Sequence, residues 1–195
     1  MYKRQVGHRV EADNKDAAAH HADLPEFILD RLRVSLRESG IKHDVVAAVL
    51  AMAPEGAVGN IRLWRRLATA LDSFLSSDDG RLLAGGWRRV ASLLATEEKK
   101  TTNFSLQVDE DLFVDQTETD LYKAVQLLPN SGGQDEPAIL SAMQGLASLS
   151  GPIDRFFDAV VVNADEDTVR SNRLALLAAV RAKMLVIADF SQLEG

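Results

Sequence analysis

From Leu24-Pro25 onward, apolar residues recur at three- and four-residue spacing, the period of one face of an α-helix. Ile28, Leu29, Leu32 and Leu36 form the first stripe, and Ser39-Gly40 supplies its stop. Val45, Val46, Val49 and Leu50 follow His43-Asp44 and end near Pro54. Ile61, Trp64, Leu67, Leu71 and Phe74 make a third stripe, and Leu83, Trp87, Val90 and Leu94 a fourth. Gly85-Gly86 lie inside that fourth helix. Two glycines there cost roughly 1 kcal/mol each against Ala, so the pair predicts a close helix crossing.

The polar run Glu97-Glu98-Lys99-Lys100-Thr101-Thr102-Asn103 is expected to be a boundary or linker. Beyond it, Asp115 and Glu118 have the N-cap and N3 spacing of a capping box ahead of Leu121, Ala124, Val125 and Leu128. Pro129-Asn130-Ser131-Gly132-Gly133 predicts a loop, and Asp135 caps a helix with Pro137 in its first turn, running to about Leu149. Ser150-Gly151-Pro152 is expected to break that helix and start another, from Ile153 to about Val161. Asp165 is expected to open the last helix, from about Glu166 to Ala188. Apart from the short ambiguous run Val160-Val161-Val162, nothing shows strand alternation, and the predicted class is all-α. Residues 1–23 lack periodicity and read as a poorly ordered leader, in which Met1–Gln5 fits nothing downstream.

Composition narrows the function. The chain has 195 residues, 46% of them hydrophobic, and no cysteine, which excludes a disulfide framework, a thiolate zinc site and a Cys nucleophile and fits a reducing cytosol. No apolar run approaches the ~18 residues of a membrane helix, and residues 1–10 do not read as a secretory signal. Charge is uneven. Residues 1–23 balance, residues 24–100 carry twelve basic and ten acidic side chains, and residues 101–195 carry six basic and fifteen acidic ones, a net of −9. A globally basic nucleic-acid-binding domain is thereby excluded, so any RNA contact has to come from local Arg clusters.

Catalytic signatures are missing. There is no Gly-x-x-x-x-Gly-Lys-Ser/Thr loop, no Gly-x-Gly-x-x-Gly after a strand and no Gly-x-Ser-x-Gly elbow. Asn163-x-Asp165-x-Asp167 resembles the start of a calcium loop, but Thr168 stands where Gly is required and Leu174 where Glu is required. Helix capping by Asp165 accounts better for that cluster. Asp109, Glu110, Asp111 and Asp115 fail the same test at Val114. His43-Asp44 is the dipeptide of metal-dependent phosphohydrolases but lacks further ligands in pattern, and His20-His21 fall in the leader. The reading is a chain without a catalytic or metal site of its own.

Two stretches resemble the β subunit of bacterial heterotetrameric glycyl-tRNA synthetase. One is Leu24-Pro25-Glu26-Phe27-Ile28-Leu29-Asp30-Arg31-Leu32-Arg33-Val34, then Glu38–Asp44, Gly86-Trp87-Arg88-Arg89-Val90-Ala91 and Glu97–Lys100. The other is Phe156-Phe157-Asp158-x-Val160-x-Val162-x-x-Asp165, then Arg170-x-Asn172-Arg173-Leu174-Ala175-Leu176-Leu177, Val180-Arg181 and Ala188-Asp189-Phe190-Ser191. The resemblance implies the C-terminal part of a longer subunit. Residues 24–104 would be a helical body, the end of an HD-like region with linking helices. Residues 105–195 would be the anticodon-binding domain shared with arginyl-tRNA synthetase. It further implies the tRNA of glycine and a separate α subunit as partners in an α2β2 tetramer, in the cytoplasm. Glycine activation with ATP would belong to that α subunit, leaving this chain no cofactor. The alternative is a helical protein-interaction module that never touches RNA, which the acidic second half favours.

On a wheel of the last helix, Leu176, Leu177, Val180, Met184 and Ile187 cluster on one side with Arg173 in their midst. Arg173 is either an RNA contact or a buried guanidinium paired with a carboxylate such as Asp158 or Asp154, and the desolvation cost of a charge on a core face favours the second. Arg170 and Arg181 at the edge of the arc, and Lys183 outside it, are better placed to reach a phosphate or base edge. Leu185 and Val186 extend apolar character off the arc. Arg62, Arg65 and Arg66 on one helix and Arg88-Arg89 on the next would track an RNA backbone if those helices are neighbours; otherwise they are solvated or paired with Asp72, Asp78 and Asp79. Phe156 and Phe157 cannot both face one core; packing of each at a different helix interface is favoured over one of them stacking on an unpaired base. Trp64 and Trp87 fall on apolar stripes and are expected in the core.

Overall fold

The computed structural model describes residues 24, 26–53, 60–100, 107–128 and 135–193, and among them the regular structure is entirely helical. The expected leader, residues 101–103 of the polar run and the expected loop at 129–133 lie outside the described residues. The helices are α1 (26–38), α2 (His43–Leu50), α3 (Ile61–Leu75), α4 (Asp78–Lys100), α5 (Gln116–Leu127), α6 (Glu136–Ala159) and α7 (Asp167–Leu185), with 3₁₀ turns at Glu110–Leu112 and Phe190–Gln192.

Local chemistry explains most of the boundaries. Gly40, at φ +88°, ends α1: its amide bonds the Arg37 carbonyl while the Ile41 amide reaches back to Leu36, a Schellman cap that needs the left-handed backbone. Asn60 caps α3 through the Leu63 amide, and Asp135 caps α6 through the Ala138 amide. Asp115 and Glu118 form the expected capping box on α5. Asp78 and Asp79 in the first turn of α4, and Lys99 and Lys100 in its last, complement the helix dipole.

Three expected boundaries are corrected. Glu97–Lys100 is not linker but the last turn of α4, with Glu97 buried and bonded to Lys100 at 2.7 Å. Ser150-Gly151-Pro152 does not end a helix; α6 continues through Pro152. Leu146, Leu149, Ile153 and Phe156, all fully buried, keep helical register across the proline, and their burial outweighs its ~3 kcal/mol penalty. Asp165 does not open α7, which starts at Asp167 after Glu166 and ends at Leu185.

One hydrophobic cluster runs through all seven helices, from Leu32 and Leu36 of α1 to Ile187, Ala188 and Phe190 after α7. In it α6 packs on α3, α4 and α5, and α7 packs on α4 and α5. Val169, Leu174–Ala178, Val180 and Met184 are buried on α7, and Leu185 and Val186 half-buried, so this helix is covered well beyond a single stripe. The segment after α7 closes on α2 and α4: the Asp189 amide donates to the Ala48 carbonyl of α2 at 2.9 Å, and Phe190 lies 5.6 Å from Trp87 between ring centroids. Trp87 is buried as expected, whereas Trp64 is half-buried with its indole N–H enclosed and unbonded. At the predicted crossing only Gly86 is needed: a Cβ there would lie 2.5 Å from Ile153 Cγ2 of α6, while one on Gly85 would meet nothing within 4 Å. No helix among the described residues is long and apolar enough to cross a membrane.

Candidate nucleic-acid interface

The core between α4 and α6 decides which cations remain at the surface. Gly86 lets α6 approach, Trp87 and Val90 turn inward, and Arg88 and Arg89 are left exposed. On α6, Phe156 is fully buried and the adjacent Phe157 half-buried, their rings edge to face at 5.5 Å. The Arg89 guanidinium lies over the Phe157 ring, 5.6 Å from its centroid. Arg88, Arg89, Ser92, Leu93 and Phe157 together line an open groove of about 430 Å³. Among the described residues, neither Arg88 nor Arg89 enters an ion pair.

The cations of α7 are placed differently, and none of them lines that groove. Arg170 bonds Asp167 at 2.6 Å, one turn earlier on its own helix. Arg181 reaches across to Glu98 of α4 at 2.7 Å. Lys183 points the other way, donating to the Leu128 carbonyl at the end of α5 at 3.1 Å. The α3 cations are not drawn to the groove either. Although α3 packs on α4, Arg65 donates to Ser35 Oγ of α1 at 2.7 Å. The carboxylates expected beside these arginines are used elsewhere: Asp78 by Arg81, and Asp72 by the Lys42 amide.

Arg173 is buried, and its partner is neither Asp158 nor Asp154. Its Nε donates to Glu118 Oε1 at 2.8 Å and its Nη1 to the Val161 carbonyl at 2.9 Å. Asp158, near the C-terminal end of α6, is exposed. Glu118 was legible as a cap but not as this partner, since 55 residues separate the two. Beside it, Asn172 holds Asp109 from both sides, accepting from its amide and donating to its carbonyl, each at 2.8 Å. Nothing in local sequence signals that clamp. Asp115, the cap of α5, is held below the usual carboxylate range by hydrogen bonds from the Thr117 hydroxyl and amide, with Arg173 adding to the effect.

A second, larger groove of about 760 Å³ lies over this clamp, with Asp109, Glu110, Asp111 and Asp167 on its rim and Thr168 and Ser171 on its α7 side. It repels phosphate. No group of three or more His, Asp or Glu among the described residues is spaced to hold a metal ion.

Comparison with known proteins fits this geometry. Residues 86–187 match the family described as "DALR anticodon binding domain", a segment that contains both Arg88-Arg89 and Phe157. Among curated proteins, the chain is 38% identical over 180 residues to the "Glycine--tRNA ligase beta subunit" of Ruegeria sp. (strain TM1040), covering 91% of this chain and 26% of that protein. It is 36% identical over 191 residues to the protein of the same name in Cereibacter sphaeroides, covering 96% of this chain and 27% of the relative. The chain thus spans about a quarter of the length of the relatives it matches. By the match over residues 86–187, the chain belongs to the DALR anticodon binding domain family.

Proposed function

We propose that this chain binds tRNA and reads its anticodon, as the C-terminal part of a glycine–tRNA ligase β subunit. In this reading residues 24–104 are the helical body and residues 105–195 the RNA-reading unit, with α4 serving both because the family match opens at residue 86. The chain performs recognition only: glycine activation with ATP falls to a separate α subunit of an α2β2 enzyme in the cytoplasm, and this part holds no cofactor. The bases tested are the cytosines of a glycine anticodon.

The observation that carries the reading is the Arg88–Arg89–Phe157 groove inside the family-matched segment. It combines uncommitted positive charge with an aromatic face, the pairing that single-stranded RNA loops require. Arg170, Arg181 and Lys183 are secondary phosphate contacts outside that groove, and Asp167 and Glu98 hold the two arginines back by competing with phosphate for them. The test is filter binding of the 195-residue chain to a glycine tRNA transcript between 50 and 200 mM salt. Binding that weakens with salt, and weakens again when the anticodon cytosines are replaced, is expected. Equal affinity for an anticodon-swapped tRNA overturns the reading.

A second reading, a protein-interaction module without RNA contact, is favoured by the acidic groove at Asp109–Asp111 and Asp167. It predicts no retention of tRNA at any salt in the same assay.

A further inference from the structure

We propose that the groove between α4 and α6 is a stacking slot for one unpaired nucleobase, with Phe157 as platform, Arg89 as a displaceable cover and Arg88 as phosphate anchor. The proposal rests on the tRNA-binding reading above and assigns it a specific subsite.

The two adjacent phenylalanines do different work. Phe156 is fully buried and meets Phe157 edge to face at 71°, which sets the orientation of the outer ring from below. Phe157 is only half-buried, and Arg89 covers its ring. An exposed guanidinium on a phenyl ring is held more weakly than a base stacked on the same ring, so a base has the means to displace Arg89. The displaced guanidinium then keeps its charge beside the entering phosphate. The cations on α7 lack this freedom: Arg170 and Arg181 are each tied to a carboxylate, and Lys183 to a helix-end carbonyl. The remaining lining suits a base as well. Leu93 gives an apolar wall, and the Ser92 hydroxyl is able to donate to or accept from a base edge. A volume of about 430 Å³ lies within the usual range for small-molecule sites.

The test uses the 195-residue chain with a glycine tRNA transcript and a series of the same transcript carrying one abasic anticodon-loop position at a time. Phe157→Leu is expected to weaken binding about 5- to 100-fold. It should leave the salt dependence unchanged, and Phe157→Trp should retain binding. Arg88→Gln is expected to lower the log–log salt slope by about 0.7 to 0.9. One abasic position should reproduce the Phe157→Leu loss, and combining the two should add little more. That position is also identified with wild-type protein alone, so the test survives a variant that fails to fold. Wild-type affinity in a folded Phe157→Leu chain, or an abasic series with no sensitive position, overturns the stacking slot while leaving tRNA binding intact. Failure of the wild-type chain to bind the transcript overturns both. Binding of poly-glutamate with the same Phe157 dependence, in place of RNA, assigns the groove to an acidic protein segment and overturns the slot as well.

Discussion

Glu118 and Arg173 form the one ion pair among the described residues in which both side chains are nearly closed to solvent, at 10% exposure for the arginine and 1% for the glutamate. The carboxylate is fully used. Its Oε1 takes Arg173 Nε at 2.8 Å, and its Oε2 takes the amides of Val114 and Asp115, each at 2.7 Å. With Arg173 Nη1 on the Val161 carbonyl, this pair joins the start of α5, the middle of α7 and the α6–α7 connection. A buried charge of this kind is tolerable because both carboxylate oxygens accept hydrogen bonds and the guanidinium donates through Nε and Nη1.

Removing one member is therefore costly. Arg173→Met leaves a buried carboxylate without its counter-ion, at about 3–5 kcal/mol. For a chain of this size that lowers the melting temperature by about 6–20 °C. A circular-dichroism melt checks it, and an unchanged midpoint would refute the burial. Arg173→Met combined with Glu118→Gln should cost less than the sum of the single changes, since the orphaned charge is gone.

The two adjacent glycines of α4 should respond with opposite signs. Gly86→Ala drives a methyl to within 2.5 Å of Ile153 Cγ2, and overpacking of this kind costs about 1–3 kcal/mol. Gly85→Ala meets nothing within 4 Å and gains helix propensity, up to about 1 kcal/mol of stability. Urea midpoints for the two variants, one below and one above the wild type, are the expected outcome.

Asp189 supplies a pH dependence. Burial raises its pKa, but hydrogen bonds from the Ser191 hydroxyl and amide and from Gln192 outweigh that, and the net shift is downward. A lowered folded pKa means that the stabilisation is complete above the unfolded value of about 3.9 and is lost as pH falls through the folded one. The stability difference between wild type and Asp189→Asn should therefore shrink as pH drops from about 6 to about 3. Because Phe190 packs 5.6 Å from Trp87, tryptophan fluorescence reports the loosening of this turn.

Glu98 restrains Arg181 in a partly exposed pair, with 45% and 29% of the two side chains accessible. Glu98→Gln should alter stability by less than about 1 kcal/mol. Freeing the guanidinium should steepen the salt dependence of tRNA binding by about one phosphate contact, a log–log slope change near 0.9. An unaltered slope would remove Arg181 from the RNA-contacting set.

Much of the fold was legible because its signals are local. The stripes ending at Gly40, the capping box of Asp115 and Glu118, and the Asp135 cap with Pro137 behind it each lie within a few residues of the boundary they set. Pro152 misled for the same reason: a local break signal was overridden by burial of Leu149, Ile153 and Phe156 against neighbouring helices. The end of α4 follows the same rule, since Glu97–Lys100 is polar yet still helical. In the candidate site, Arg88 and Arg89 were visible as a local pair, but their convergence with Phe157 depends on how α4 and α6 pack.

The sequence by itself determined the all-α class and the burial of Arg173, because periodicity and charge on an apolar arc are properties of one helix. Only the tertiary structure decided that Glu118 rather than Asp158 answers that charge, that Arg181 and Lys183 turn to different helices, and that Arg89 comes to rest on Phe157. All four pairings join residues 55 to 83 positions apart. Such distances are bridged by helix packing, which no local pattern of residue types encodes.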